Sequence, residues 1–246
     1  MDYQGTRLAN PLFDEMSKYP RQFAHPVFFR DAVGKTRNGS GFLVLLEGRT
    51  FGITCHHVVA GYREQKAQSG ATFQFGAAQI EPLKHIVDES EVLDIVVFDF
   101  TELVDTPGGL TAASRISPAA WPPGPLVDDD VLALAGFPGS GRQDYDDNYY
   151  RFHSFSAGTV EIASLRESHL YTRIELDQSI VAGARPEITS ELGGLSGGPV
   201  LVWRKGVVLK TELVGMVVEY QKNLDLLFVR RLGCVRSNGT LDPHAG

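Results

Sequence analysis

The chain has 246 residues, 43% of them hydrophobic and 22% charged, and a formal net charge of -7. That length suits one large globular domain or two small ones, and the acidic balance speaks against nucleic acid or an anionic membrane as the main partner. Cys55 and Cys234 are too few for a disulfide framework, and there is neither a basic-then-apolar leader nor a run of about 18 apolar residues, so a soluble, cytoplasmic protein is expected.

Residues 1–24 read as an N-terminal extension able to form a helix, with Leu8, Leu12, Phe13 and Met16 at roughly helical spacing and Pro11 and Pro20 limiting it. From residue 25 to 104 short apolar runs alternate with turns. Gly41–Leu46 and Thr50–Thr54 form two strands joined by a turn at Glu47-Gly48-Arg49, and Ala71–Phe75, Ile80–Ile86 and Leu93–Phe100 follow. Residues 105–128 are rich in proline and glycine and read as a linker. A second set of strands fills 129–236, at Val131–Ala135, Arg151–Val160, Leu170–Leu176, Pro199–Trp203, Leu213–Glu219 and Leu226–Val229, before a tail over 237–246. Many short strands in two sets predict an all-β protein of two antiparallel barrels.

Three stretches carry chemistry. Gly193-Gly194-Leu195-Ser196-Gly197-Gly198-Pro199 crowds small residues around one serine. Glycines permit a tight turn and close approach of a substrate to the main chain, as an activated serine requires; the plainer reading is a glycine-rich turn. Thr54-Cys55-His56-His57-Val58-Val59 ends a strand with two histidines. Imidazole is a natural general base at neutral pH, and neighbours on an extended chain face opposite ways, so one of the pair serves a given site. Glu91-Val92-Leu93-Asp94-Ile95-Val96-Val97 puts a carboxylate at the head of an apolar strand, where burial demands a partner; a histidine would supply it, and a strand-edge turn is the plainer account. Asp88, Glu89 and Asp99 are the rival carboxylates.

The order His, Asp, Ser with these flanks resembles a trypsin-like serine protease of the chymotrypsin fold, and more narrowly the bacterial HtrA/Deg-type branch. Gly39-Ser40-Gly41-Phe42 is similar to that branch's first-barrel strand, Thr54–Val59 to its Thr-x-x-His-Val-Val motif, Asp94–Phe98 to its aspartate strand, Val131–Pro138 to the start of its second barrel, and Ser196-Gly197-Gly198-Pro199 to its nucleophile block. Ser156–Val160, Ile174–Asp177 and Leu213–Val217 match further blocks, and the likeness runs over roughly residues 27–232. There are departures. No PDZ-like segment follows the second barrel. Leu195 stands where trypsin carries the acid that pairs with a newly cut N-terminus. About Val181 to Glu191 an insertion precedes the nucleophile.

The resemblance implies two six-stranded antiparallel barrels with the site between them, and a serine endopeptidase acting on a protein or peptide without cofactor or metal. It assigns His57 as base, Asp94 as its orienting carboxylate and Ser196 as nucleophile. The amides of Gly194 and Ser196 become the oxyanion hole. Substrate would lie against Val217, Val218 and Glu219, and the floor of the primary pocket, six residues before the nucleophile, would be Ser190. A neutral floor favours a small or medium apolar residue before the cut, because a buried lysine or arginine would lack a partner; a one-residue shift would make Glu191 the floor and reverse the preference. A companion protein activated by cleavage is a candidate partner by analogy with bacterial defence or signalling modules. The alternatives are a catalytically silent trypsin-like module that binds partners and an acyl hydrolase acting on simple esters.

Overall fold

The computed structural model describes residues 11–30, 36–69, 71–144, 150–173, 180–181, 192–242 and 244. The chain opens with helix α1 (Pro11–Lys18), which passes into a 3-10 turn over Tyr19–Gln22. This segment lies on the second half of the molecule. The Tyr19 ring meets Trp203 at 5.6 Å, and Trp203 Nε1 donates to Gly158 O at 2.7 Å.

The first half is one curved sheet. Its strands are β1 (Ala24–Arg30), β2 (Thr36–Leu46), β3 (Arg49–Thr54), β4 (Thr72–Phe75), β5 (Ala78–Ile80), β6 (Ile86–Ser90), β7 (Ile95–Asp99) and β8 (Arg115–Ile116). They run in the order β5-β4-β1-β2-β3-β7-β6, with β8 added in parallel to β2. The central strands are near-continuous apolar runs because both their faces are covered; β3 is buried from Thr50 to Thr54. Between β2 and β3, Glu47 and Gly48 both have positive φ, 48° and 80°. That is the two-residue turn whose twist suits a hairpin, where the sequence places it. The strand expected over Ile80–Ile86 is split by a 3-10 turn at Pro82–Lys84, since Pro82 has no N–H to give a ladder. Strands β1 and β8 were not among the expected strands, and helix α2 (His56–Ser69), which follows β3 directly, had no counterpart in the expectation.

The second half contains β9 (Val131–Gly136), a ribbon of β10 (Arg142–Asp144) and β11 (Tyr150–Phe152), β12 (Phe155–Leu165), β13 (His169–Arg173), β14 (Ile180–Val181), β15 (Pro199–Arg204), β16 (Lys210–Gln221) and β17 (Leu226–Arg231). The path β12-β9-β15-β16-β17-β13 returns to β12 through the β13–β12 pairing, a closed six-stranded barrel with β14 on its outside. The architecture is therefore all-β with two barrel-like halves, but only the second matches the expected six-stranded closure. The first carries more strands, and among the described residues its outer strands β5 and β6 do not pair with each other.

Each half has a core, and the larger one crosses the boundary. Phe42, Phe51, Phe73, Phe75, Phe98 and Phe100 fill the first half together with Ala133, Leu201 and Met216 from the second. The segment 105–128 does not hang free: Leu110, Ile116 and Leu126 are buried. The tail returns to the first sheet, where Leu241 N donates to Asp88 at 2.8 Å and Ser237 Oγ to Glu47 at 2.7 Å. No helix among the described residues is long and apolar enough to cross a membrane.

Candidate active site

Helix α2 starts where β3 stops, so His56 and His57 sit on the first turn of a helix and not on an extended chain. First-turn amides have no partner within their own helix. Asp94 supplies one: its Oδ1 accepts the His57 N–H at 2.9 Å, while Oδ2 meets His57 Nδ1 at 2.7 Å. One carboxylate thus caps the helix and fixes the ring orientation of its second residue. With Nδ1 held, Nε2 is the nitrogen left for other chemistry. The His57 side chain is 53% exposed and that of Asp94 20%. Asp94 reaches this position from a left-handed backbone, φ 52°, just before β7, a conformation that Asp tolerates better than most residues. Its amide donates to Glu91 O at 3.1 Å, and the preceding carbonyl of Leu93 accepts Arg230 Nε of β17 at 3.0 Å.

The serine loop is held from both halves. Ser196 O accepts Ser40 N at 2.7 Å, Gly197 N donates to Val217 O at 2.7 Å, and Gly198 N donates to Leu195 O at 2.8 Å. Ser40 Oγ donates to Gly194 O at 2.7 Å and accepts Phe137 N at 2.8 Å, while Gly139 N donates to Gly193 O at 2.6 Å. Gly194 and Gly197 have φ of 102° and 93°. A Cβ on Gly197 would collide with Ser40 O, and one on Gly194 would meet Phe137 O at 2.7 Å, so both positions demand glycine. Among the described residues no acceptor takes the N–H of Gly194 or of Ser196, although the amides of Leu195, Gly197 and Gly198 are all bonded. Leu195 is buried in the second core, an apolar anchor for the loop.

His57, Asp94 and Ser196 line one cavity of about 380 Å³. Among the described residues no hydrogen bond joins Ser196 Oγ to His57. Val218 and Glu219 line the same cavity, as do Gly193 and Leu195 of the serine stretch, and so do Leu192 and Tyr220, two residues that the sequence did not single out. Val217 does not. Its side chain is in the core, its carbonyl accepts Gly197 N and Cys55 Sγ, and its amide donates to Gly198 O, so it supports the serine loop from beneath. Ser190 and Glu191 lie outside the described residues. Pairing of β16 with β15 begins at Met216 opposite Pro199. The stretch of β16 beyond it, from Val218 to Gln221, therefore has no strand neighbour on the β15 side among the described residues.

The rival carboxylates are engaged elsewhere. Asp99 pairs with Arg49, Glu89 with Arg63, and Asp88 caps the returning tail. One ligand atom from each of Cys55, His57 and Asp94 lies within 4.8 Å of the other two, the one group among the described residues placed to hold a metal ion. His57 Nδ1 and Asp94 Oδ2 already bond to each other. Burial, with the charge of Asp94 beside it, pushes the Cys55 thiol well up, which disfavours the thiolate a metal needs.

No family model and no curated protein matches the sequence. Solved structures to which the chain is similar include a thermostable serine protease, AL20, from an extremophilic microorganism. Identity is 13% over 85% of this chain and 91% of that one, with a TM-score of 0.44. Another is the protease Anisep from Arthrobacter nicotinovorans, at 11% identity over 87% of this chain and 92% of that one, also with a TM-score of 0.44.

Proposed function

We propose that the chain is a serine endopeptidase in which His57 takes the proton of Ser196 as its Oγ attacks a peptide carbonyl, and Asp94 holds the imidazole in the tautomer that can accept that proton. The observation that carries this reading is the double grip of Asp94 on His57, with Ser196 in the same cavity. The unclaimed amides of Gly194 and Ser196 support their assignment as the oxyanion hole, since donors kept free of protein acceptors cost no rearrangement when charge develops. The open β16 edge at Val218 and Glu219 suits an extended peptide added as a further strand, which favours a peptide over a simple ester. The buried, unpaired Cys55 and Cys234 fit a reducing compartment, and the motif likeness supports a reading nearest the HtrA/Deg-type branch, for which we take the substrate to be a dedicated protein. No cofactor or metal takes part in the steps.

The rival reading, a silent binding module, draws on the missing Ser196–His57 hydrogen bond; such bonds are often long before substrate arrives. A fluorophosphonate probe separates the two. Ser196 is expected to be labelled, with labelling lost in Ser196→Ala and His57→Ala and kept in a folded His56→Ala. An unlabelled wild-type chain, or labelling that survives Ser196→Ala, sinks the proposal.

A further inference from the structure

The cavity of about 380 Å³ at Ser196 is lopsided in charge. Its described lining holds two carboxylates, Asp94 and Glu219, and no lysine or arginine. The Asp94 carboxylate is committed to His57, through the N–H and Nδ1. Glu219 is exposed, and among the described residues no side-chain hydrogen bond or ion pair engages it. The register of β16 explains how an acid comes to face the cleft. Val217 opposes Val229 and Glu219 opposes Phe228, so Val218 is an extra residue in the ladder. Strict alternation would put Glu219 on the same face as Val217, which is in the core. The bulge at Val218 turns it outward instead, as bulges beside active sites re-aim a side chain. Across from it Phe228 offers an apolar neighbour, packed on His169 at 5.1 Å and Tyr171 at 5.4 Å. Arg230, two residues further along β17, gives its Nε to Leu93 O and lies over the Phe228 ring at 5.4 Å; it makes no ion pair with Glu219.

The backbone fixes which part of a bound peptide meets Glu219. Gly197 N donates to Val217 O and Val217 N to Gly198 O, so the serine loop occupies the β15 side of β16 as far as Val217. Val218 is the first position left open, beside Ser196 in the same cavity, and Glu219 is the next. A peptide continuing that line pairs antiparallel with β16, as β15 does, and so runs towards Ser196 in its own N-to-C direction. The residue whose carbonyl meets Ser196 then lies at Val218, and the one before it lies directly opposite Glu219. Directly opposed residues of an antiparallel pair project to the same face, close enough for their side chains to interact.

We propose that Glu219 is a specificity-determining residue, selecting a lysine or arginine as the second residue before the cleaved bond. The cut itself rests on the reading of Ser196 as nucleophile; the preference of the cleft for a cationic side chain does not. A carboxylate without a counterion, in a cleft whose other fixed charge is also negative, concentrates a potential that attracts a cation and repels an acid. The ammonium or guanidinium of the opposed residue meets the Glu219 carboxylate as a cross-strand ion pair, while its methylenes lie along the Phe228 ring.

The test uses the full chain and acetylated tetrapeptides with a fluorogenic leaving group. Lysine, its uncharged analogue norleucine, or glutamate is placed in turn at each of the last three residues, with equimolar mixtures elsewhere. At the second residue before the cut, kcat/KM for lysine is expected to exceed that for norleucine about fivefold, with glutamate slowest, and the advantage should shrink in roughly 0.5 M salt. Glu219→Gln should bring the lysine-to-norleucine ratio near one. Glu219→Lys should put glutamate ahead of lysine, a reversal that a merely structural role would not produce. A binding arm uses the Ser196→Ala chain, which leaves the peptide uncut, and NMR titration with acetyl-Ala-Ala-Lys-Ala-amide and its norleucine analogue. The lysine peptide should bind about fivefold more tightly, and no more tightly once Glu219→Gln is added. No lysine advantage at the second position, or one that survives Glu219→Gln, overturns the proposal, while fluorophosphonate labelling of Ser196 leaves the protease reading standing. If Ser196 is never labelled and no peptide is cut, the protease reading falls and the binding arm decides. Tighter binding of lysine that depends on Glu219 keeps that residue as the selector of a cation, and equal binding of the two peptides overturns it.

Discussion

The two halves solve different problems. The open first sheet supplies His57 and Asp94, and these bond directly to each other, Asp94 capping the helix that begins at His56. The closed second barrel supplies Ser196 on a loop that is not self-sufficient: Ser40 of the first half takes hold of Ser196 O through its amide and of Gly194 O through its hydroxyl. His57 and Asp94 are thus a local unit, whereas the position of Ser196 depends on contacts between residues more than 150 positions apart in the chain. Damage to the first unit should therefore be chemical and sharply confined. Damage to the second should mix activity with stability.

Asp94→Asn tests the first unit and carries the largest expected effect. Asn tolerates the left-handed backbone at this position, and its carbonyl can still accept the His57 N–H, so the cap survives. Its NH₂ group then faces Nδ1 as a donor. That forces the ring's proton onto Nε2, the nitrogen proposed to accept from Ser196. Labelling and peptide turnover should fall by about 10⁴ with the melting temperature nearly unchanged. A variant within about tenfold of wild type would show that Asp94 is only a cap.

Much of this unit is legible in the sequence because it is short-range. Asp94 heads an apolar strand, Ser196 lies among glycines, and Glu47-Gly48 announces its own hairpin. Helix α2 is harder to see, since a strand-like run leads into it without a proline or glycine break. Its signal is the helical spacing of Val58, Val59 and Tyr62, all buried on one side. Val217 shows another limit. The family resemblance marks it as a substrate neighbour, but its carbonyl goes to Gly197 and Cys55, a choice of hydrogen-bond partner that only the folded chain defines. The roles of Asn38 and Ser40 are hidden for the same reason, because each acts on a residue from the other half. The opening of the first barrel follows from strand pairings that no local pattern encodes.

Ser40→Ala tests the second unit, with a smaller and mixed effect. It leaves Gly194 O and Phe137 N without their shared partner in a fully buried place. Each orphaned group costs about 1–3 kcal/mol. A loop displaced by a fraction of an ångström aims the Gly194 N–H badly, for which a loss of about 10–100-fold in labelling rate is expected. Measuring both quantities on one preparation decides what the brace does. A fall in thermal stability with an unchanged labelling rate would make it structural alone.

The smallest expected effect on activity belongs to His25, far from Ser196 in sequence. Burial lowers its pKa from 6.5 to about 4. A histidine whose folded pKa is depressed binds its proton more readily when unfolded, so the unfolded state gains protons first as pH falls. The stabilisation is complete above pH 6.5, declines through the window from there to about 4, and is gone below it. The loss over that window should be about 2–3 kcal/mol. His25→Leu keeps the apolar contacts and removes the titrating group, so chemical denaturation of this variant between pH 7 and 4 should show a slope shallower by that amount. At pH 7 its labelling of Ser196 should match wild type within about twofold, since among the described residues no hydrogen bond links His25 to the serine loop. Parallel stability curves for the two proteins would mean that His25 is protonated as easily folded as unfolded, and that its nitrogen finds a partner in the native state.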